Sequence, residues 1–182
     1  MIGRDVATLL RGMRPLLLVV GAALVCGTAR AQFTLSDLQI AGRALGFLDK
    51  PLQGEVAAAI VYSPASPQSV REAGSLKELL GDGLKVGNVT LKPVLVPVAD
   101  IERAPAALLL LTDGVDDVQR VAATARLRRI PCITTDFARV KSGACAIGIT
   151  SQPKIEILVN RNTAADTHLS FSTVFRMMIT EM

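Results

Sequence analysis

The amino-acid sequence predicts an α/β fold: a three-layer sandwich with a mainly parallel sheet, a terminal antiparallel strand pair and a C-terminal helix. Three observations carry the prediction. EVAAAIVY (residues 55–62) and AALLLLT (residues 106–112) are apolar runs without alternation, as expected of strands covered on both faces. Helical patterns with caps and dipole-matched charges stand between the strand-like runs. Near its end the chain reads as two neighbouring strands, ACAIGIT and KIEILVN, followed by an apolar stripe at helical spacing.

Residues 1–31 read as a cleavable export signal. Arg4, Arg11 and Arg14 form a positive n-region, and PLLLVVGAALVCG (residues 15–27) forms an apolar h-region too short to span a bilayer comfortably. Ala29-Arg30-Ala31 supplies the small-x-small pattern, so cleavage is expected before Gln32. Cys26 lacks both a leucine three places earlier and a small residue just before it, so a lipid anchor is not expected. The expected location is therefore the periplasm, with no stable membrane insertion after cleavage. Of the 20 basic and 16 acidic side chains, Arg4, Arg11, Arg14, Arg30 and Asp5 lie in this leader, so the remainder is nearly neutral. That balance gives no support for a nucleic-acid partner. Residues 32–182 have the length of one domain with a sizeable core.

TLSDLQIAGRALGFL is the first predicted helix, with Leu38, Ala41, Leu45 and Leu48 on one face and Thr34 or Ser36 as its cap. After the first buried strand, Ser66-Pro67 marks a second helix start, and Gly81 and Gly83 mark its end. VTLKPVLVPV reads as a strand that Pro93 breaks or confines to an edge. The helix after the 106–112 strand opens with Asp116 and Asp117 and closes with Arg126, Arg128 and Arg129, opposing the helix dipole at both ends. PCITTD is a further short strand. Cys132 and Cys145 lie in separate strand-like runs. They form either one disulfide or two buried thiols, and an antiparallel pairing of their strands would hold them too far apart to bond.

In a parallel sheet ligands sit outside the carboxyl ends of the strands. Three loops qualify there: Tyr62-Ser63-Pro64-Ala65-Ser66, Thr112-Asp113-Gly114 and Thr134-Thr135-Asp136. Ser63, Ser66, Asp113, Thr135 and Asp136 are the candidate cleft residues for a small ligand, although the same residue types also serve as caps and turn formers. There is no Gly-rich phosphate fingerprint after the first buried strand, no G-x-S-x-G elbow, and the sole histidine, His168, lies in a polar stretch. No catalytic residue, metal site or cofactor is expected, and the protein is read as a non-enzyme. Phe171, Val174, Phe175, Met178, Ile179 and Met182 fall at the spacing of one continuous helical stripe. That helix serves either the core or a partner, through Phe171, Phe175, Met178 and Met182.

The tail GACAIGITSQPKIEILVNRNTAADTHLSFSTVFRMMI resembles the end of the YfiR/HmsC-like family of exported bacterial proteins, through the Asn160-centred turn and residues 171–179. RIPCITTD (residues 129–136) fits the same pattern. The resemblance implies a periplasmic, often dimeric α/β regulator that contacts a membrane-anchored sensor or diguanylate cyclase. A second resemblance competes. VYSPASPQS, LLLLTDG and RIPCITTD, in that order, look like one lobe of a periplasmic ABC-transporter substrate-binding protein, which implies a small-solute site at the strand-end loops.

Overall fold

An eight-stranded sheet organises the chain in the computed structural model, which describes residues 32–182. The expected export signal lies outside the described residues. The strands are β1 (Gly54–Tyr62), β2 (Leu84–Val86), β3 (Val89–Pro97), β4 (Leu108–Leu111), β5 (Cys132–Thr134), β6 (Ile147–Thr150), β7 (Glu156–Val159) and β8 (Thr180–Glu181). Their spatial order is β2-β3-β1-β4-β5-β6-β7-β8. From β3 to β6 every neighbouring pair is parallel. β2 joins β3 and β7 joins β6 antiparallel, and β8 runs parallel to β7.

Alternation along the central strands explains the layering. Val56, Ala58 and Ile60 of β1, with Leu108 and Leu110 of β4, face a core built with α1 (Leu35–Leu45) and α2 (Pro67–Leu80). Ala59, Val61, Leu109 and Leu111 face the opposite core, covered by Val121 and Ala125 of α3 (Val118–Arg128). Each fully buried leucine or isoleucine contributes about 2 kcal/mol relative to exposure, so strands without a polar face are expected here. α4 (Phe137–Lys141) packs against β6 at Gly148, where an added Cβ would lie 2.8 Å from both Phe137 and Val140.

Thr34 caps α1 through a reciprocal capping box with Asp37, and Ser66 caps α2 with Pro67 in its first turn. Asp117 caps α3. The predicted first helix ends earlier than its apolar spacing suggests: Leu48 lies beyond α1 and pairs with Phe171 in an isolated antiparallel bridge. Pro93 stays within an unbroken β3, because β2 pairs only with Val89–Leu91 and leaves the later residues of β3 at the sheet edge.

The predicted C-terminal helix is much shorter than the stripe implies. After α5 (Arg161–Asp166), capped by Asn160, the chain forms only the one-turn helix α6 (Thr173–Arg176) and then β8. Strand pairing outcompetes helix continuation at this end. Met182 N–H donates to the Val159 carbonyl (3.0 Å), and Arg161 N–H donates to the Met182 carbonyl (3.1 Å). The stripe therefore divides. Phe171 and Phe175 are buried, and Phe175 stacks on Phe47 at 5.0 Å, whereas Met178 and Met182 face solvent.

Cys132 and Cys145 form a disulfide. Their strands are parallel neighbours, with Ile133 opposite Ile147, so both strand starts lie at one edge. The Cα atoms are 4.9 Å apart, which an antiparallel pair would not have allowed.

Candidate functional site

The connection from β1 turns to one side of the sheet and the connection from β4 to the other, a topological switch point whose carboxyl ends are where ligands sit in open α/β sheets. Ser63 and Ser66 follow β1, Asp113 and Gly114 follow β4, and Thr135 and Asp136 follow β5. The sequence-predicted residues are therefore gathered at one edge, although most of their polar atoms are already engaged.

Ser69, on the first turns of α2, organises the edge. Its hydroxyl accepts from Ser63 N–H (2.9 Å) and shares a 2.6 Å hydrogen bond with the Thr112 hydroxyl. Thr112 in turn donates to the Val61 carbonyl at 2.9 Å. Ser66 is spent as the α2 cap, and an added Cβ on Gly114 would lie 2.5 Å from its Oγ. Gly114 has φ +78°, so this loop requires glycine for both conformation and space. Asp136 accepts from Ala138 N–H at the start of α4, and Thr135 is buried.

The ionisable groups are more informative. Glu72, only 2% exposed, accepts a 2.7 Å hydrogen bond through Oε2 from the backbone N–H of Asp113. Asp113 accepts from Gln68 Nε2 at 2.7 Å and lies 3.6 Å from the Arg139 guanidinium. Arg139 also lies 3.4 Å from Asp136. Burial pushes the Glu72 carboxyl up to about 7 and the Asp113 charge adds to the rise, while the Asp113 and Phe33 N–H groups and Arg139 oppose it. Glu72 Oε1 and Arg139 Nη1 are both buried without a hydrogen-bond partner. Such atoms carry a desolvation cost of about 1–3 kcal/mol or more each, which a ligand pairing them would offset.

Sequence reasoning missed Gln68, Glu72 and Arg139. Glu72 had a legible signal, because it shares a helical face with Ser69, Ala73, Leu76 and Leu80, all buried. A carboxylate within that stripe is the anomaly that marks the site. Arg139 had no comparable signal, since one basic residue in a short charged helix is unremarkable. Among the described residues, no group of three or more His, Cys, Asp or Glu side chains is placed to hold a metal ion. No described helix is long and apolar enough to cross a membrane.

The architecture is an α/β fold with an eight-stranded, mainly parallel sheet covered by helices on both faces. No family model matches the sequence, and no curated protein matches it. Among solved structures the chain is similar to a conserved domain protein from Vibrio cholerae O1 biovar El Tor, with a TM-score of 0.55 and 13% identity over 81% of this chain and 59% of that one. It is also similar to the ABC domain in complex with L-Trp from Streptococcus pneumonia, with a TM-score of 0.53 and 11% identity over 80% of this chain and 60% of that one. At these identities the likeness is one of fold, and the chain spans about three-fifths of the length of either structure.

Proposed function

We propose that the protein is a non-enzymatic, exported small-solute-binding lobe whose ligand is an α-amino acid held at the carboxyl ends of β1, β4 and β5. The observation that carries the reading is the pair of buried polar atoms without a hydrogen-bond partner, Glu72 Oε1 and Arg139 Nη1, on two side chains that both contact Asp113. A guanidinium matches a ligand carboxylate, and the Glu72 and Asp113 carboxyls match a ligand ammonium. The fold shared with a domain that binds L-Trp supports the same class. The Cys132–Cys145 disulfide agrees with an oxidising compartment such as the periplasm. Melting curves across the twenty amino acids test the proposal, because a ligand that binds only the folded state raises the melting temperature. L-Trp is the first probe, and since the chain has no Trp its emission reports binding without protein background. A rise with at least one amino acid, lost in Arg139→Gln, supports the reading, and a flat panel overturns it.

A second reading is favoured by a different observation. Val174, Met177, Met178 and Met182 are exposed near the terminal edge strand, with Met177 78% and Met178 59% accessible. Adaptable methionines suit a protein contact, such as a homodimer or a membrane-anchored sensor or diguanylate cyclase regulated in the YfiR/HmsC manner. Recovery of a membrane protein from envelope extracts, lost in the Met177→Ser/Met178→Ser variant, supports this reading. A strictly monomeric chain that recovers none counts against it.

A further inference from the structure

A cavity of about 630 Å³ opens at the opposite, amino-terminal edge of the sheet. Leu48, Leu52, Ile130 and Leu169 give it an apolar lining, and Lys50, Arg129 and His168 add basic groups. Its walls are fixed by long-range bonds. Asp49 N–H donates to the Ser170 carbonyl at 2.9 Å, beside the Leu48–Phe171 bridge. The Arg128 guanidinium donates to the carbonyls of Ile101, Ala104 and Ala106, and so holds the segment that leads into β4.

Two helix ends converge on this cavity in the same way. Arg129 ends α3 with φ 54°, and Ile130 N–H donates back to the Ala125 carbonyl. His168 follows α5 with φ 56°, and Leu169 N–H donates back to the Ala164 carbonyl. Both are Schellman ends, where the left-handed position normally belongs to glycine. Among the described residues, these two are the only non-glycine residues with positive φ. The helix dipole accounts for a cation near a helix end, but not for a side chain at the one position where a Cβ is strained and glycine is favoured. Each end places a basic side chain and the following apolar residue at the same cavity. Among the described residues, Lys50, Arg129 and His168 have no ion-pair partner, and Asp49 is the sole acidic residue of the lining.

The geometry points to a second ligand site here, for an amphiphilic carboxylate whose apolar body lies on Leu48, Leu52, Ile130 and Leu169 and whose carboxylate meets Arg129 and Lys50. The inference is independent of the amino-acid reading, because it uses the opposite sheet edge. Octanoate is the probe, titrated into the full chain and followed by backbone amide shifts. The expected result is saturable shifts confined to residues 48–52, 129–131 and 168–170. The Arg129→Asn/Lys50→Gln variant should weaken binding at least about tenfold, since hydrogen bonds to charged groups are worth about 1.5–3 kcal/mol. Asn tolerates the left-handed position, so this variant keeps the fold. Octylammonium, with the same body and the opposite charge, should not saturate. Absence of saturable shifts, equal binding of octylammonium, unchanged affinity in the variant, or shifts centred on Asp113 and Arg139 would each overturn the proposal.

Discussion

The Glu72 carboxylate holds the backbone N–H of Asp113 at 2.7 Å, joining α2 to the loop after β4 at the carboxyl edge of the sheet. That bond places a nearly inaccessible acid beside a second acid, and burial is the larger cause of its raised pKa of about 7. In the unfolded chain the same group titrates near the ordinary carboxyl value of about 4.5. Folding therefore favours the protonated acid, a contribution fully present below about pH 4.5 and lost as pH rises through about 7. The loss amounts to roughly 3 kcal/mol at 1.36 kcal/mol per unit. Glu72→Gln keeps an acceptor for Asp113 N–H and removes the titration. Denaturant unfolding between pH 5 and 8 should show a declining stability in the native protein and a flatter profile in the variant. Equal slopes would contradict this.

The disulfide closes a loop with a sequence separation of 13. A loop of that size is worth about 3 kcal/mol in the chain-entropy account. The Cys132→Ala/Cys145→Ala protein should lose about that much stability in urea, and a reducing agent should change the native protein but not the variant.

The α4–β6 packing leaves no room at Gly148. Gly148→Ala should cost about 1–3 kcal/mol, the usual penalty of overpacking. An unchanged melting temperature would mean that α4 does not pack on the sheet as described.

Phe175 and Met178 sat on one stripe in the sequence but differ in burial. Phe175→Ala should therefore cost about 3–5 kcal/mol, and Met178→Ala less than about 0.5 kcal/mol. Comparable losses at both positions would restore the continuous helix.

Much of the sheet was legible because its signals are local. β1 and β4 announced themselves as unbroken apolar runs, and Ser66-Pro67 and Asp117 marked helix starts that the fold uses. β2 was missed because three residues after a glycine turn carry no period. The terminal stripe misled because helical spacing is a local preference, whereas β8 depends on the free edge of β7, a non-local fact. The disulfide depended on strand direction for the same reason. At the candidate site, the loops after β1, β4 and β5 were foreseen, but the charged pair that distinguishes them comes from α2 and α4. Glu72 was readable as an acid on a buried face. Arg139 becomes meaningful only when the fold carries it to Asp113.

The most direct test of the amino-acid site is calorimetric titration of the twenty amino acids into the native protein and the Arg139→Gln variant. The account predicts that at least one amino acid binds saturably at a single site, at least about tenfold more weakly in the variant, because a charge-assisted contact has been removed. No binding heat from any amino acid, or equal affinity in the variant, would contradict it.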